Sequence, residues 1–142
     1  MGDNILEPQP NFKIYQDRAI YVGTFLGGPL VAGYFAAENF KQFGQRDKIK
    51  PTWTISILST IVIFGCLFLI PNFEKVPNIL VPLTYTGIAQ FLVQKYQGTA
   101  IKSHLETGGQ AFSIWRAVWV GLVGSLILLV LIFAIVLLLD KD

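Results

Sequence analysis

The 142-residue chain reads as an all-α integral membrane protein, a bundle of four transmembrane helices arranged as two hairpins. Three observations predict this class. Hydrophobic residues make up 53% of the chain and charged residues only 14%, whereas soluble domains carry about 25% charge. Residues 19–37, 51–73, 76–94 and 117–139 contain no Asp, Glu, Lys, Arg or His, so every ionisable side chain of those types lies outside these runs. A hydrocarbon core of roughly 30 Å is crossed by about 20 helical residues, and each run is 19 to 23 residues long. The same pattern excludes a water-soluble enzyme. A net charge of +2 is too small to suggest a nucleic-acid partner.

Residues 1–18 form a polar lead-in, 19–139 a single transmembrane domain and 140–142 a polar C-terminus. The helices are expected over about 19–37, 52–70, 76–95 and 114–139. In the lead-in, Pro8 and Pro10 favour extended backbone, and Phe12, Ile14 and Tyr15 suit the headgroup level. No cleavable signal is apparent, so the first helix is expected to insert as an anchor. Gly23, Gly27, Gly28, Ala32, Gly33 and Ala36 are spaced along it in steps that let a neighbouring backbone approach closely. Pro29 removes an N–H in its middle and predicts a kink.

A basic connection with Lys41, Arg46, Lys48 and Lys50 leads to Pro51, which suits a first helical turn. The second helix ends before Pro71, and its lone Cys66 reads as a small buried thiol. Pro77 opens the third helix and Pro82 is expected to kink it. Residues 95–106 can prolong that helix, with Gly108–Gly109 as a stop and Ser113 as the N-cap of the fourth. RAIYVG at 18–23 resembles RAVWVG at 116–121. An internal repeat or the shared demands of two interfacial helix starts explains the likeness.

Four crossings place both termini on one side. Seven Lys and Arg then flank the 38–50 and 95–116 connections against four elsewhere. Because Lys- and Arg-rich loops stay cytoplasmic, both termini are expected outside a bacterial inner membrane. Trp53, Trp115 and Trp119 fall at the cytoplasmic interface.

The uncharged helices argue against ion-coupled transport, which keeps an ionisable group at membrane depth. Thr86, Gln90 and Gln94 recur every four residues and share a helix face, while Ser56 and Ser59 recur on the second helix. They form either interhelical hydrogen bonds or a polar vestibule. Glu38, His104 and Arg116 are expected to cluster at the cytoplasmic end, with His104 exposed on a loop. No catalytic constellation, metal-ligand set or nucleotide motif is present, so neither enzymatic activity nor a cofactor is expected. The expected partners are the lipid bilayer and other membrane subunits or further copies of the chain. The chain is read as an accessory, assembly or scaffold subunit of a larger membrane complex. A homo-oligomeric channel or passive transporter, and a membrane immunity or defence factor, remain as alternatives.

Overall fold

The computed structural model describes residues 11–141. The elements run β1 (Lys13–Ile14), α1 (Asp17–Gly27), α2 (Pro29–Gln42), α3 (Ile49–Leu69), α4 (Leu80–Glu106), β2 (Gln110–Ala111) and α5 (Ile114–Leu139), with short 3-10 turns at Arg46–Lys48 and Phe73–Lys75. The extended start expected at Pro8 and Pro10 lies outside the described residues.

The first apolar run is not one helix. It breaks at Gly28, whose φ of 82° and ψ of −173° lie in a region open only to glycine. Pro29 follows at the first position of α2, where a missing N–H leaves one fewer donor to satisfy. The expected proline kink is therefore a full reversal. Gly27 meets Val31, Gly23 meets Phe35, and Tyr15 meets Asn39, so α1 and α2 form an antiparallel hairpin. At 1.5 Å per residue its arms are about 16 and 21 Å long. The kink expected at Pro82 is also absent from the helix interior. Pro82 occupies the first turn of α4, where the Leu83 N–H reaches Ile79 at 3.1 Å and no bond is broken.

α1 runs parallel to α5. Lys13 pairs with Gln110 and Ile14 with Ala111 in a two-stranded parallel sheet. Farther along, Gly23 abuts the Ala117 carbonyl and Gly27 the Gly121 carbonyl. The two similar segments thus lie side by side. Ala19 and Ala117 are both fully buried, and a Cβ on Gly121 would come within 2.8 Å of the Gly23 carbonyl oxygen. Mutual packing of two small-residue faces accounts for the resemblance between RAIYVG and RAVWVG.

α2 packs against α3 and α4 against both arms of the hairpin, whereas α3, α4 and α5 make almost no contact with one another. The hairpin is the hub. β1, the α2–α3 connection and the α4–β2–α5 connection gather at one end, termed the hub end; the α3–α4 connection and the last turn of α5 lie at the other. Residues 11–16 and residue 141 consequently sit at opposite ends, not together as four crossings require. At the hub end, α4 stops in a Schellman turn, with Gly108 at φ 81° and the Gly109 N–H on the His104 carbonyl at 2.8 Å. The Ser113 hydroxyl caps α5 by accepting from Trp115 N–H at 3.2 Å.

The hairpin tip reaches only Ser56 on α3 and Leu128 on α5, so the far halves of both helices are uncovered. Phe68, Leu69, Leu138 and Leu139 are each more than two-thirds exposed, and Cys66 is exposed rather than buried. Arg46–Leu69 and Ile114–Leu139 are each long and apolar enough to cross a membrane. α4 is uncharged only as far as Gln94, beyond which Lys95, Lys102, His104 and Glu106 follow.

The close approaches predict an asymmetry among glycines. Gly33→Ala and Gly23→Ala drive a methyl into the Ser56 side chain and the Phe35 ring and should cost about 1–3 kcal/mol as overpacking. Gly65→Ala and Gly87→Ala meet nothing within 4 Å and should match or exceed the parent, by up to about 1 kcal/mol of helix propensity. Denaturant titration of the detergent-solubilised variants measures the difference.

Candidate functional site

Three features converge on the hairpin. The first is its tip. A helix C-terminus leaves its last carbonyls without intrahelical partners, and an unsatisfied carbonyl away from water is costly. At the end of α1, the Gly28 N–H takes the Thr24 carbonyl at 2.8 Å. The Tyr85 hydroxyl of α4 donates to the Phe25 carbonyl at 3.0 Å. The Ser125 hydroxyl of α5 donates to the Leu26 carbonyl. On the other arm, the Ser56 hydroxyl of α3 donates to the Pro29 carbonyl at 2.8 Å. Each long helix therefore supplies one hydroxyl to the turn.

The second feature is a buried polar junction at the hub end. The Asn39 amide mimics a strand partner for Tyr15. Its Oδ1 accepts from the Tyr15 N–H at 2.8 Å and its Nδ2 donates to the Tyr15 carbonyl at 2.8 Å. Asn39 Nδ2 also donates to Gln97 Oε1 at 3.2 Å, and Gln97 Nε2 donates to the Ala36 carbonyl at 2.8 Å. Tyr15, Asn39 and Gln97 are essentially inaccessible. Arg116 Nε donates to the Tyr15 hydroxyl at 3.0 Å, and its guanidinium lies 4.3 Å from the centre of the Phe112 ring. Burial raises the Tyr15 phenol above its ordinary pKa, and the Arg116 hydrogen bond opposes that rise.

The third feature is a groove of about 900 Å³ between α3 and α4. Ala32, Gly33 and Ala36 of α2 form its floor. Its walls are mainly apolar, from Ile55, Leu58 and Val62 on one side and Ile88, Ala89 and Leu92 on the other. Lys48, Phe40, Tyr96 and Gln97 lie at its hub end.

The residues singled out in the sequence divide among these features. Gly23 and Gly27 face the chain's own helices and are covered, Gly33 abuts Ser56 at the edge of the groove floor, and Gly28 makes the turn. Ala32 and Ala36 floor the groove. The polar stripe divides. Ser56 is engaged at the tip and Ser59 lines the groove. Thr86 Oγ1 and Gln90 Oε1 are buried without a hydrogen-bond partner on α4, as is Thr24 Oγ1 on α1. Gln94 is exposed beside Asp17 and Arg18, in a depression of about 540 Å³.

The expected cluster of Glu38, His104 and Arg116 is not assembled as such. Glu38 forms a loose 4.0 Å pair with Lys41 on its own helix. Arg116 joins the Tyr15 junction. His104 is in α4 rather than on a loop, and is 5% exposed. Its ring stacks on Phe12 at 4.7 Å, and Nε2 lies 2.9 Å from the Gln110 carbonyl. The Schellman turn brings β2 back over this last turn of α4 and covers the ring. Asn39 and Gln97 were legible only as polar residues at helix ends; their pairing depends on the reversal at Gly28.

Comparison with family models, curated proteins and solved structures finds no significant match to this chain.

The tip hydroxyls should matter individually. Tyr85→Phe and Ser125→Ala each leave a turn carbonyl unanswered and should cost about 1–2 kcal/mol, the upper range for hydrogen bonds between membrane helices. A Ser56→Ala/Tyr85→Phe/Ser125→Ala variant that unfolds in a denaturant titration like the parent would remove the clamp as a stabilising device.

Proposed function

We propose that the chain is an integral membrane protein of three crossing helices and one re-entrant hairpin, working by lateral association as an accessory, assembly or scaffold subunit of a larger membrane complex. The observation that carries this reading is the uncovered far half of the bundle. Beyond the tip, α3 and α5 expose Phe68, Leu69, Phe133 and Leu138 with almost no contact between the helices. That surface suits lipid or the helices of another subunit.

Two further features support the membrane placement. The hairpin arms, at about 16 and 21 Å, reach roughly halfway through a 30 Å core, and non-helical backbone at such depth is tolerated where protein satisfies it. The basic residues also separate by end. Lys13, Arg18, Lys41, Arg46, Lys48, Lys50, Lys95, Lys102 and Arg116 fall toward the hub end, leaving Lys75 and Lys141 at the other. Lys- and Arg-rich loops stay cytoplasmic, so the hub end faces the cytoplasm in this reading. The N-terminal strand is then inside and the end of α5 outside.

The polar stripe supports association more than conduction. Thr86 is fully buried and the Ser56 hydroxyl is hydrogen-bonded into the hairpin, so neither hydroxyl is free to face a path. Gly23 and Gly27 are occupied within the chain and Ala32, Gly33 and Ala36 floor the groove, which leaves the far halves of α3 and α5 as the candidate partner surface.

Two experiments test the reading. In a Cys66→Ser background, single cysteines at Lys13, Asp47, Glu74 and Lys141 are probed with an impermeant thiol reagent in intact cells. Positions 13 and 47 should share one protection state and positions 74 and 141 the opposite one. Protection shared by 13 and 74 would restore four crossings. For association, native mass spectrometry of the chain extracted in mild detergent should show other membrane subunits bound. A monomer under every condition removes the subunit reading, and a pure homo-oligomer favours the channel.

A further inference from the structure

The groove between α3 and α4 has a graded lining. Thr52 donates its hydroxyl to the Lys48 carbonyl, Ser56 to the Pro29 carbonyl, and Gln97 its amide to the Ala36 carbonyl. These polar groups are turned to the protein, so the wall they share presents mostly carbon. At the hub end the character changes. The Lys48 ammonium lies 5.5 Å from the centre of the Phe40 ring, and the Lys95 ammonium 5.7 Å from that of the Tyr96 ring. Both rings border the groove. Among the described residues neither lysine has a carboxylate within ion-pair distance; the pairs present are Lys41–Glu38 and Lys102–Glu106.

The lining selects the kind of occupant: floor and walls present mostly carbon for about 20 Å at 1.5 Å per residue, and ammonium groups stand at one end only. An apolar slot with a cationic mouth at the membrane surface matches a molecule with a linear hydrocarbon tail and an anionic head.

We propose that this groove holds an acyl chain of an anionic phospholipid, whose phosphate meets Lys48 and Lys95. The inference rests on the membrane reading above. Under that reading the groove opens sideways to the bilayer between two helices that barely touch, so a lipid enters without an unfolding step. An attached lipid would cover the junction between α2 and α3 and fill the space that the re-entrant hairpin leaves beside α4.

Native mass spectrometry of the full chain in neutral detergent provides the test, with phosphatidylglycerol and phosphatidylcholine of identical chains as probes. The parent should retain phosphatidylglycerol in preference. Lys48→Gln and Lys95→Gln should each reduce that retention about fivefold, the effect of one surface lysine on an anionic lipid, and leave phosphatidylcholine unchanged. Both lysines are surface groups, so these variants do not hinge on core packing. Ala89→Trp, which fills the groove, should reduce retention of both lipids; Ala134→Trp, on the exposed face of α5, should reduce neither. Equal retention of the two lipids by the parent, full retention by Ala89→Trp, or a lipid-free dimer would overturn the proposal. Release of the chain from membranes by alkaline carbonate would instead overturn the membrane reading, which separates the two failures.

Discussion

The structure depends on satisfying the carbonyls at one turn. Reversing a chain within a helical bundle frees backbone acceptors where water is scarce, and each free acceptor opposes the reversal. Here the hydroxyls of Tyr85 and Ser125 answer the Phe25 and Leu26 carbonyls freed at the end of α1, and Ser56 adds a bond to the Pro29 carbonyl at the start of α2. This arrangement fixes more than the turn. Because every long helix is bonded to the tip, its depth and rotation are set relative to the hairpin rather than to the other long helices. The sparse contact among α3, α4 and α5 follows. So does the groove, which is the space left where α3 and α4 both pack on narrow α2 without meeting.

Close packing at the hub has a related origin. Under the proposed membrane placement there is no hydrophobic drive between helices, and association relies on close approach and hydrogen bonds. The α1–α5 seam uses small residues on both partners, with Gly23, Gly27, Gly121 and Gly124 placing backbone against backbone or side chain. The helices are parallel and enter at the same level through paired strands, so equivalent positions meet equivalent surroundings. Similar sequence on two neighbouring helices is then a packing result and requires no duplicated fold.

Several elements were legible because their signals are local. The Ser113 cap, the Gly108–Gly109 stop and the apolar runs of α3 and α5 depend on a few adjacent residues, and all are present. The hairpin was not legible, because the absence of charge over residues 19–37 measures compatibility with an apolar setting, not continuity of a helix. Gly27, Gly28 and Pro29 are equally consistent with a packing seam, a kink or a reversal; the hydroxyls that favour reversal come from positions 56, 85 and 125, far away in sequence. The error carried forward by parity. Counting the first run as a crossing put the N-terminal segment opposite the α4–α5 connection, and so His104 appeared to be an exposed loop residue without Phe12 to cover it. Cys66 was misread for the converse reason: an apolar run suggests burial by neighbours, but the hairpin stops short of its level.

The distribution of polarity fits the proposed membrane placement. Fully or nearly buried positions include Thr24, Asn39, Thr86, Gln97 and His104, while the outer surface carries Leu, Ile, Val and Phe along most of α3 and α5. In water such a surface is unfavourable, since contiguous exposed apolar patches beyond a few hundred Å² mark association or aggregation. In hydrocarbon the balance inverts. Exposed aliphatic side chains cost little there, whereas a polar group turned outward loses its partners, so polar residues collect inside and bond to one another or to the backbone. Asn39 and Gln97 follow this rule completely. Thr24, Thr86 and Gln90 follow it in position but not in pairing, since each retains a buried oxygen without a partner. They mark the α1 and α4 surfaces as the least fully satisfied part of the hub, in contrast to the tip, where the hydroxyls of all three long helices are engaged.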